Sequence, residues 1–199
     1  LDRFPYEETQ GKKFRIVTAQ DDHLVSANMR YVDMLETAIC EHTGMHTYRE
    51  RPEGLIAVAK MKRHTLADLP VVENGLYLVA EAVEKPGNLG SILRSADAAG
   101  VDGLIICNKC TDLYNPNVIR ASTGALFSVP LAEAENQEAY DWLKSHGIKT
   151  LAATPHTENL YTDVDMTQAV AIVVGTEQTG LTELWMEHSD LPVRIPMLG

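Results

Sequence analysis

Long apolar runs, cysteine and positive charge are all scarce in this chain, and each scarcity removes a class of protein. No apolar stretch approaches the ~20 residues that a membrane-spanning helix needs. The opening Leu1-Asp-Arg-Phe-Pro-Tyr-Glu-Glu8 lacks the basic start and apolar centre of a signal peptide. Three cysteines in 199 residues cannot build a disulfide framework and fit a reducing compartment. A soluble, cytoplasmic protein is the expectation. Lys and Arg number 17 against 28 Asp and Glu, a net charge of −11. That balance excludes a protein that grips nucleic acid through a uniformly basic surface. It leaves room for an enzyme with a local basic track. Lys12-Lys13-Arg15, Arg49-Glu-Arg51 and Lys60-Met-Lys62-Arg63-His64 are the candidate tracks, each read first as a solvated surface cluster.

Metal-binding patterns are also missing. Cys107-Asn-Lys-Cys110 has the right spacing, but no second pair completes a zinc site, so two free thiols are expected. His42 and His46 straddle Gly44, which spoils a helical metal face, and they are read as surface residues.

What the chain does have is a hydrophobic share of 45%, enough for a sizeable core, in a length that suits one domain with a smaller partner. Residues 24–41 carry apolar side chains at helical spacing, and Leu55–Ala59 reads as a buried strand. The basic, Pro-terminated segment 61–70 reads as a connector, with a boundary near residue 70. Beyond it, strands and helices alternate. Strands are expected at 76–82, 103–107, 125–131, 148–153, 169–174 and 193–195, with helices at 88–100, 136–146 and from about 181. That alternation means an α/β fold on a parallel sheet.

The chain is organised around Val174-Gly-Thr-Glu-Gln-Thr-Gly-Leu-Thr182. The preceding run, Ala169–Val174, has no polar alternation, as in a strand covered on both faces. It opens into a loop with glycines at 175 and 180 and then a helix, the crossover at which parallel sheets bind ligands. Gly175 and Gly180 fit the frame of a phosphate-binding P-loop. Leu181, however, stands where the lysine must be, and Glu177 puts a carboxylate in the would-be anion nest. A nucleotide triphosphate is excluded; an uncharged or cationic ligand suits the loop.

A second segment is Lys85-Pro-Gly-Asn-Leu-Gly-Ser-Ile-Leu-Arg94. Asn88 is a good N-cap. Leu89, Ile92, Leu93, Ala96 and Ala99 form one stripe, Gly100 stands at the helix end, and Arg94 points away from the stripe. A third segment is Val193-Arg-Ile-Pro-Met-Leu-Gly199. Trp142 and Trp185, at helical positions, are expected as core or dimer contacts, and Leu184 and Leu191 add late apolar surface for a dimer.

Together the segments resemble the SpoU (TrmH-like) RNA methyltransferases. The match consists of N-x-G-x-x-x-R at Asn88, Gly90 and Arg94, G-x-E-x-x-G-L at Gly175, Glu177, Gly180 and Leu181, and Ile195-Pro-Met-x-Gly199. Ser122 and Gly124, in Val118–Pro130, also stand at family positions. The resemblance covers about 74–199. It implies a parallel sheet flanked by helices with a C-terminal trefoil knot, and a homodimer whose active site draws on both subunits. It further implies S-adenosylmethionine bound in the knot and methyl transfer to a ribose 2′-hydroxyl of tRNA or rRNA. By the same resemblance Arg94, Asn88 and Glu177 would be catalytic, and Thr154, Gly175, Gly180, Leu181, Ile195 and Met197 would bind the cofactor. Residues 1–70 would be an N-terminal extension for RNA recognition, and 71–199 the methyltransferase domain. The family pattern continues into a Ser-Leu-Asn-Val-Ser-like stretch and a final helix. This sequence stops at Gly199, so part of the cofactor pocket is expected beyond it. The alternative is a knot-fold protein that binds RNA or ribosomal particles without turnover.

The arginine's chemistry narrows its role. Taking the proton from a free guanidinium near pH 7.5 costs on the order of 7–8 kcal/mol. A guanidinium is well suited, by contrast, to a two-pronged grip on phosphate. Arg94 is therefore expected to clamp the phosphate beside the target ribose, with Asn88 capping the helix that presents it.

Overall fold

The computed structural model describes residues 63–196 throughout and, before them, the strands named next. The chain divides into two compact units, Leu1–Arg63 and His64–Gly199. In the first, β1 (Glu7–Thr9) pairs antiparallel with β2 (Lys12–Phe14). A three-stranded antiparallel sheet has the order β3-β5-β4, from β3 (Val17–Thr18), β4 (Met45–Arg49) and β5 (Leu55–Lys60). The strand expected at 55–59 is β5. The helix expected at 24–41 lies outside the described residues.

The second unit alternates strand and helix. Its elements are β6 (Leu76–Glu81), α1 (Pro86–Ala99), β7 (Gly103–Cys107), α2 (Pro116–Ser122), α3 (Ala125–Ser128), β8 (Leu131–Ala134), α4 (Asn136–Ser145), β9 (Lys149–Ala153), β10 (Val170–Val174), α5 (Glu183–His188) and β11 (Leu191–Val193). The six strands form one sheet in the order β11-β9-β10-β6-β7-β8, and every neighbouring pair is parallel. Parallel sheets need cover on both faces. Tyr77, Val79, Ile105, Ala132, Ala171 and Val173 pack with Ala139 and Leu143 of α4 and Trp185 of α5 on one face. Leu104 and Ile106 alternate with Ile105 and Cys107 and so point to the opposite face. There Leu89, Leu93 and Ala96 of α1, Val118 of α2 and Leu126 of α3 are buried with them. Trp185 is thus a core residue of the monomer rather than a dimer contact.

Gly90 sets how close α1 and α2 lie. A Cβ there would sit 2.4 Å from the Ala121 Cβ and 2.8 and 2.9 Å from backbone atoms of Ala121 and Ser122. Only hydrogen fits at that crossing. Arg94 is one helical turn on from Gly90, so it stands exposed beside the α1–α2 seam.

The path of β11 is unusual. On one side it pairs with β9, and the Thr154 amide donates to the Val193 carbonyl at 2.9 Å. On the other side the Arg194 amide donates to Asn159 O (2.8 Å) and the Tyr161 amide to Arg194 O (3.1 Å). The β9–β10 connection thus leaves β9, passes outside β11 and returns to the far side of β9. The strand β11 has β9 on one side and the 159–161 segment on the other.

Three expectations need correction. The strand expected at 125–131 is α3 followed by β8: Ala125 and Leu126 are buried on a helical turn, and Pro130 ends that turn just before the strand begins. The last strand lies at Leu191–Val193 instead of 193–195, and only Arg194 extends it, as a bridge to Leu160. The 61–70 connector is partly core, since Leu69 is buried and a short helical turn spans Leu66–Asp68.

Candidate functional site

In the sheet, β6 and β10 are the neighbours at which the direction of strand succession reverses. A crevice opens beyond the carboxyl ends of strands at such a point. The loop 175–182 leaves β10 there, and the β6–α1 connector leaves β6 beside it.

The loop closes on itself. The Thr176 amide donates to Gly180 O at 3.0 Å, and the Gly180 amide returns a bond to Thr176 O at 3.2 Å. The Thr176 hydroxyl accepts from the Thr179 amide at 3.0 Å. A side chain at Gly175 would put its Cβ 2.2 Å from Gly180 O and 2.6 Å from the Leu181 amide nitrogen. Glycine is required at 175 by that close approach, and at 180 by a φ of +71°. The G-x-E-x-x-G spacing is the spacing of a loop pinched shut at its neck.

Glu177 is carried at the tip of this loop. Its carboxylate accepts from Lys85 Nζ at 2.6 Å and from Asn88 Nδ2. The Lys85 hydrogen bond, then that of Asn88, then the lysine's charge hold the Glu177 carboxyl below the usual carboxylate range. The same bond and charge raise Lys85 above the usual lysine range. Asn88 does not cap its helix, contrary to expectation. The helix begins two residues earlier with Pro86 at its first position, Lys85 is the capping residue, and the asparagine side chain is spent on Glu177.

The neck of the loop is held by a group that sequence reasoning missed. Glu81 ends β6 with 0% of its surface exposed. Its carboxylate accepts from the Thr182 amide (2.9 Å), the Thr182 hydroxyl (2.7 Å) and Asn136 Nδ2. Trp185 Nε1 donates to Asn136 Oδ1 at 3.1 Å. The available signal was a single carboxylate closing the otherwise apolar β6, Leu-Tyr-Leu-Val-Ala-Glu81.

The other expected residues are distributed as follows. Thr154, Gly175 and Ile195 follow the carboxyl ends of β9, β10 and β11, which are adjacent in the sheet. Thr154 is buried, and its hydroxyl accepts from the His156 amide at 3.3 Å. Leu181 is half-buried against the core, and Ile195 is 63% exposed. Met197 lies outside the described residues. Arg94 is exposed on α1, six residues on from Asn88 in the same helix. Cys107 is buried and Cys110 exposed, both as free thiols. Among the described residues no cluster of His, Cys, Asp and Glu is fit to hold a metal ion.

Loop 175–182 offers a carboxylate, backbone groups and apolar neighbours but no lysine or arginine of its own. That set fits a ligand with a positive centre and no phosphate, and S-adenosylmethionine is such a group.

Comparison with known proteins gives the same direction. A family model described as "SpoU rRNA Methylase family" matches residues 75–199. The 23S rRNA (uridine(2479)-2′-O)-methyltransferase of Streptomyces viridochromogenes is 36% identical over 159 residues, which cover 75% of this chain and 54% of that protein. The 23S rRNA (guanosine(2553)-2′-O)-methyltransferase RlmP of Bacillus subtilis is 30% identical over 153 residues, 77% of this chain and 60% of that protein. The chain thus spans little more than half the length of these relatives. The crystal structure of the SpoU methyltransferase AviRb from Streptomyces viridochromogenes in complex with AdoMet superposes with a TM-score of 0.71 at 36% identity. It covers 75% of this chain and 59% of that one.

Proposed function

Because the chain belongs to the SpoU rRNA Methylase family, we propose that it transfers a methyl group from S-adenosylmethionine to a ribose 2′-hydroxyl of ribosomal or transfer RNA. The observation that carries this reading is the meeting of Glu177 with Lys85 and Asn88 at the sheet's switch point, which joins two motifs far apart in sequence. The chemistry the cofactor supplies when bound is an electrophilic methyl group on a sulfonium. Thr154, Gly175, Gly180, Leu181 and Ile195 would hold it, with Met197 beyond the described residues.

The chain's own residues do the rest. Glu177 keeps a carboxylate at the loop tip, and Lys85 and Asn88 fix its direction while leaving it exposed. Arg94, exposed beside the α1–α2 seam, grips the phosphate next to the target ribose through two parallel hydrogen bonds. That grip sets the 2′-oxygen in line for attack, and a phosphate oxygen or a water takes its proton. Positioning of this kind contributes much of the rate in reactions between two bound partners.

We propose three further properties. The passage of β11 between β9 and the 159–161 segment supports a C-terminal trefoil knot. Exposed Tyr161 and Ile195, brought together by the Leu160–Arg194 bridge, support a homodimer that covers them. Free thiols at 107 and 110 fit a cytoplasmic protein. Among the described residues no helix is long and apolar enough to cross a membrane.

Calorimetry of the full-length protein with S-adenosylhomocysteine tests the cofactor reading. A saturable one-site isotherm is expected. Absence of binding overturns the enzyme reading in favour of RNA binding without turnover.

A further inference from the structure

The 175–182 loop is held at two points by one short piece of chain, the β6–α1 connector. At the tip, Lys85 and Asn88 hold Glu177. At the neck, Glu81 holds Thr182. Between the two anchors the backbone turns at Ala82, whose φ of +48° is a conformation that non-glycine residues seldom adopt. The Ala82 amide donates to the Cys107 carbonyl at 2.9 Å, so the turn is tied to the sheet. Strained turns of this sort persist where the surroundings over-determine them, and they concentrate at functional sites.

The polarity of the neck is fixed from its far end. An indole N–H can only donate, so Asn136 must turn its oxygen to Trp185 Nε1. Its amide nitrogen then faces Glu81, which must accept there through Oε1. The Thr182 backbone N–H can only donate too, and it faces Oε2. Both oxygens of residue 81 therefore have to be acceptors. A carboxylate satisfies that requirement; a carboxamide of the same shape turns an NH₂ toward one of two donors. The group is fully buried, so water cannot repair the mismatch.

We infer that Glu81 is a positioning residue for the cofactor loop: through Thr182 it sets the neck of 175–182 so that Glu177 and the loop's backbone are in place before ligand arrives. It touches neither substrate nor cofactor. The inference rests on the proposed methyltransferase reading for its effect on ligand, and on the hydrogen bonds alone for its effect on the loop.

The test compares Glu81→Gln, Thr182→Val and Thr182→Ser with the wild type in the full-length protein, with two readouts. The first is amide hydrogen exchange without ligand. Glu81→Gln is expected to speed exchange at Thr182 and along 175–182 while β7 and α1 keep their protection. The second is S-adenosylhomocysteine affinity by calorimetry. Glu81→Gln is expected to weaken binding by about tenfold, or about 1.4 kcal/mol. Thr182→Val, which keeps shape and the backbone N–H but drops the hydroxyl's bonds to Glu81 and Asn136, should fall between Gln and wild type, and Thr182→Ser should match wild type. In turnover the KM for S-adenosylmethionine should rise while that for RNA stays put, a split that general destabilisation does not produce. Wild-type exchange at Thr182 in Glu81→Gln overturns the anchor. Altered exchange with unchanged affinity overturns the link to ligand while the methyltransferase reading stands. A wild type that binds no S-adenosylhomocysteine overturns the methyltransferase reading instead, and the exchange data still judge the anchor. Should Glu81→Gln fail to fold, Thr182→Val carries both comparisons.

Discussion

Gly90→Ala sets two physical effects of opposite sign against each other. Alanine in a helix interior is favoured over glycine by about 0.8–1.0 kcal/mol, so local propensity predicts a more stable protein. The structure predicts the reverse. The new methyl would lie 2.4 Å from the Ala121 Cβ, where ordinary contact is 3.4–4 Å, so α1 and α2 must part by about 1 Å. Its other neighbours at 2.8 and 2.9 Å are backbone atoms, which cannot swing aside as a side chain would. Overpacking of this severity costs about 1–3 kcal/mol. Sterics should therefore win by up to about 2 kcal/mol, a fall in melting temperature of up to about 6 °C for a domain of this size. Adding Ala121→Gly removes the worst contact and leaves the backbone ones, so it should restore part of the loss. Because Arg94 rides on the same helix, methyl transfer should fall further than stability does; a displacement of about 1 Å can cost up to about a hundredfold in rate. Thermal melts followed by circular dichroism read the first effect. A melting temperature that rises on Gly90→Ala would mean that the α1–α2 approach described above is wrong.

Three other outcomes follow from single contacts. Arg94→Lys should retain part of both RNA binding and methyl transfer and Arg94→Ala little of either; if Lys binds RNA like wild type yet is as inactive as Ala, the phosphate clamp fails. Asp190 is raised by burial but lowered more by Lys144 and Thr150, which leaves it below the usual range; its contribution is complete above the unfolded value of about 3.9 and is lost as pH falls through the lower folded value. Asp190→Asn should therefore lower the melting temperature at pH 7 and narrow its difference from wild type in acid; a difference independent of pH counts against the contact. Burial first, then the charges of Glu81 and Glu135, push the Cys107 thiol up to about 12, so maleimide at pH 8 should label Cys110 and spare Cys107 until the protein is unfolded, which peptide mass mapping reads directly.

Much of the sheet was legible because the residues that build it are locally unambiguous. Leu76–Glu81, Gly103–Cys107 and Val170–Val174 are apolar runs that only a strand covered on both faces explains. Gly100 and Gly147 end their helices with φ of +64° and +67°, as their positions suggested. The errors lie where one short apolar run fits two structures: Ala125–Leu131 is apolar enough for a strand, and only burial of Ala125 and Leu126 on a helical turn decides otherwise. Asn88 was misread because capping is a local rule, whereas its partner, Glu177, lies 89 positions away. Glu81 stayed hidden for the same reason, since Thr182 lies 101 positions on. The glycines of the 175–182 loop were visible, but the reason for Gly175, a backbone that touches itself, belongs to three dimensions.

The central claim, ribose methylation, is tested most directly by incubating the full-length protein with RNA and methyl-labelled S-adenosylmethionine. Ribosomal and transfer RNA are offered separately, digested to nucleosides and separated by mass spectrometry. Label is expected in 2′-O-methylated nucleosides from one of the two RNAs, and little with Arg94→Ala. Label on a base, or no label in either RNA from a protein that binds S-adenosylhomocysteine, would contradict it.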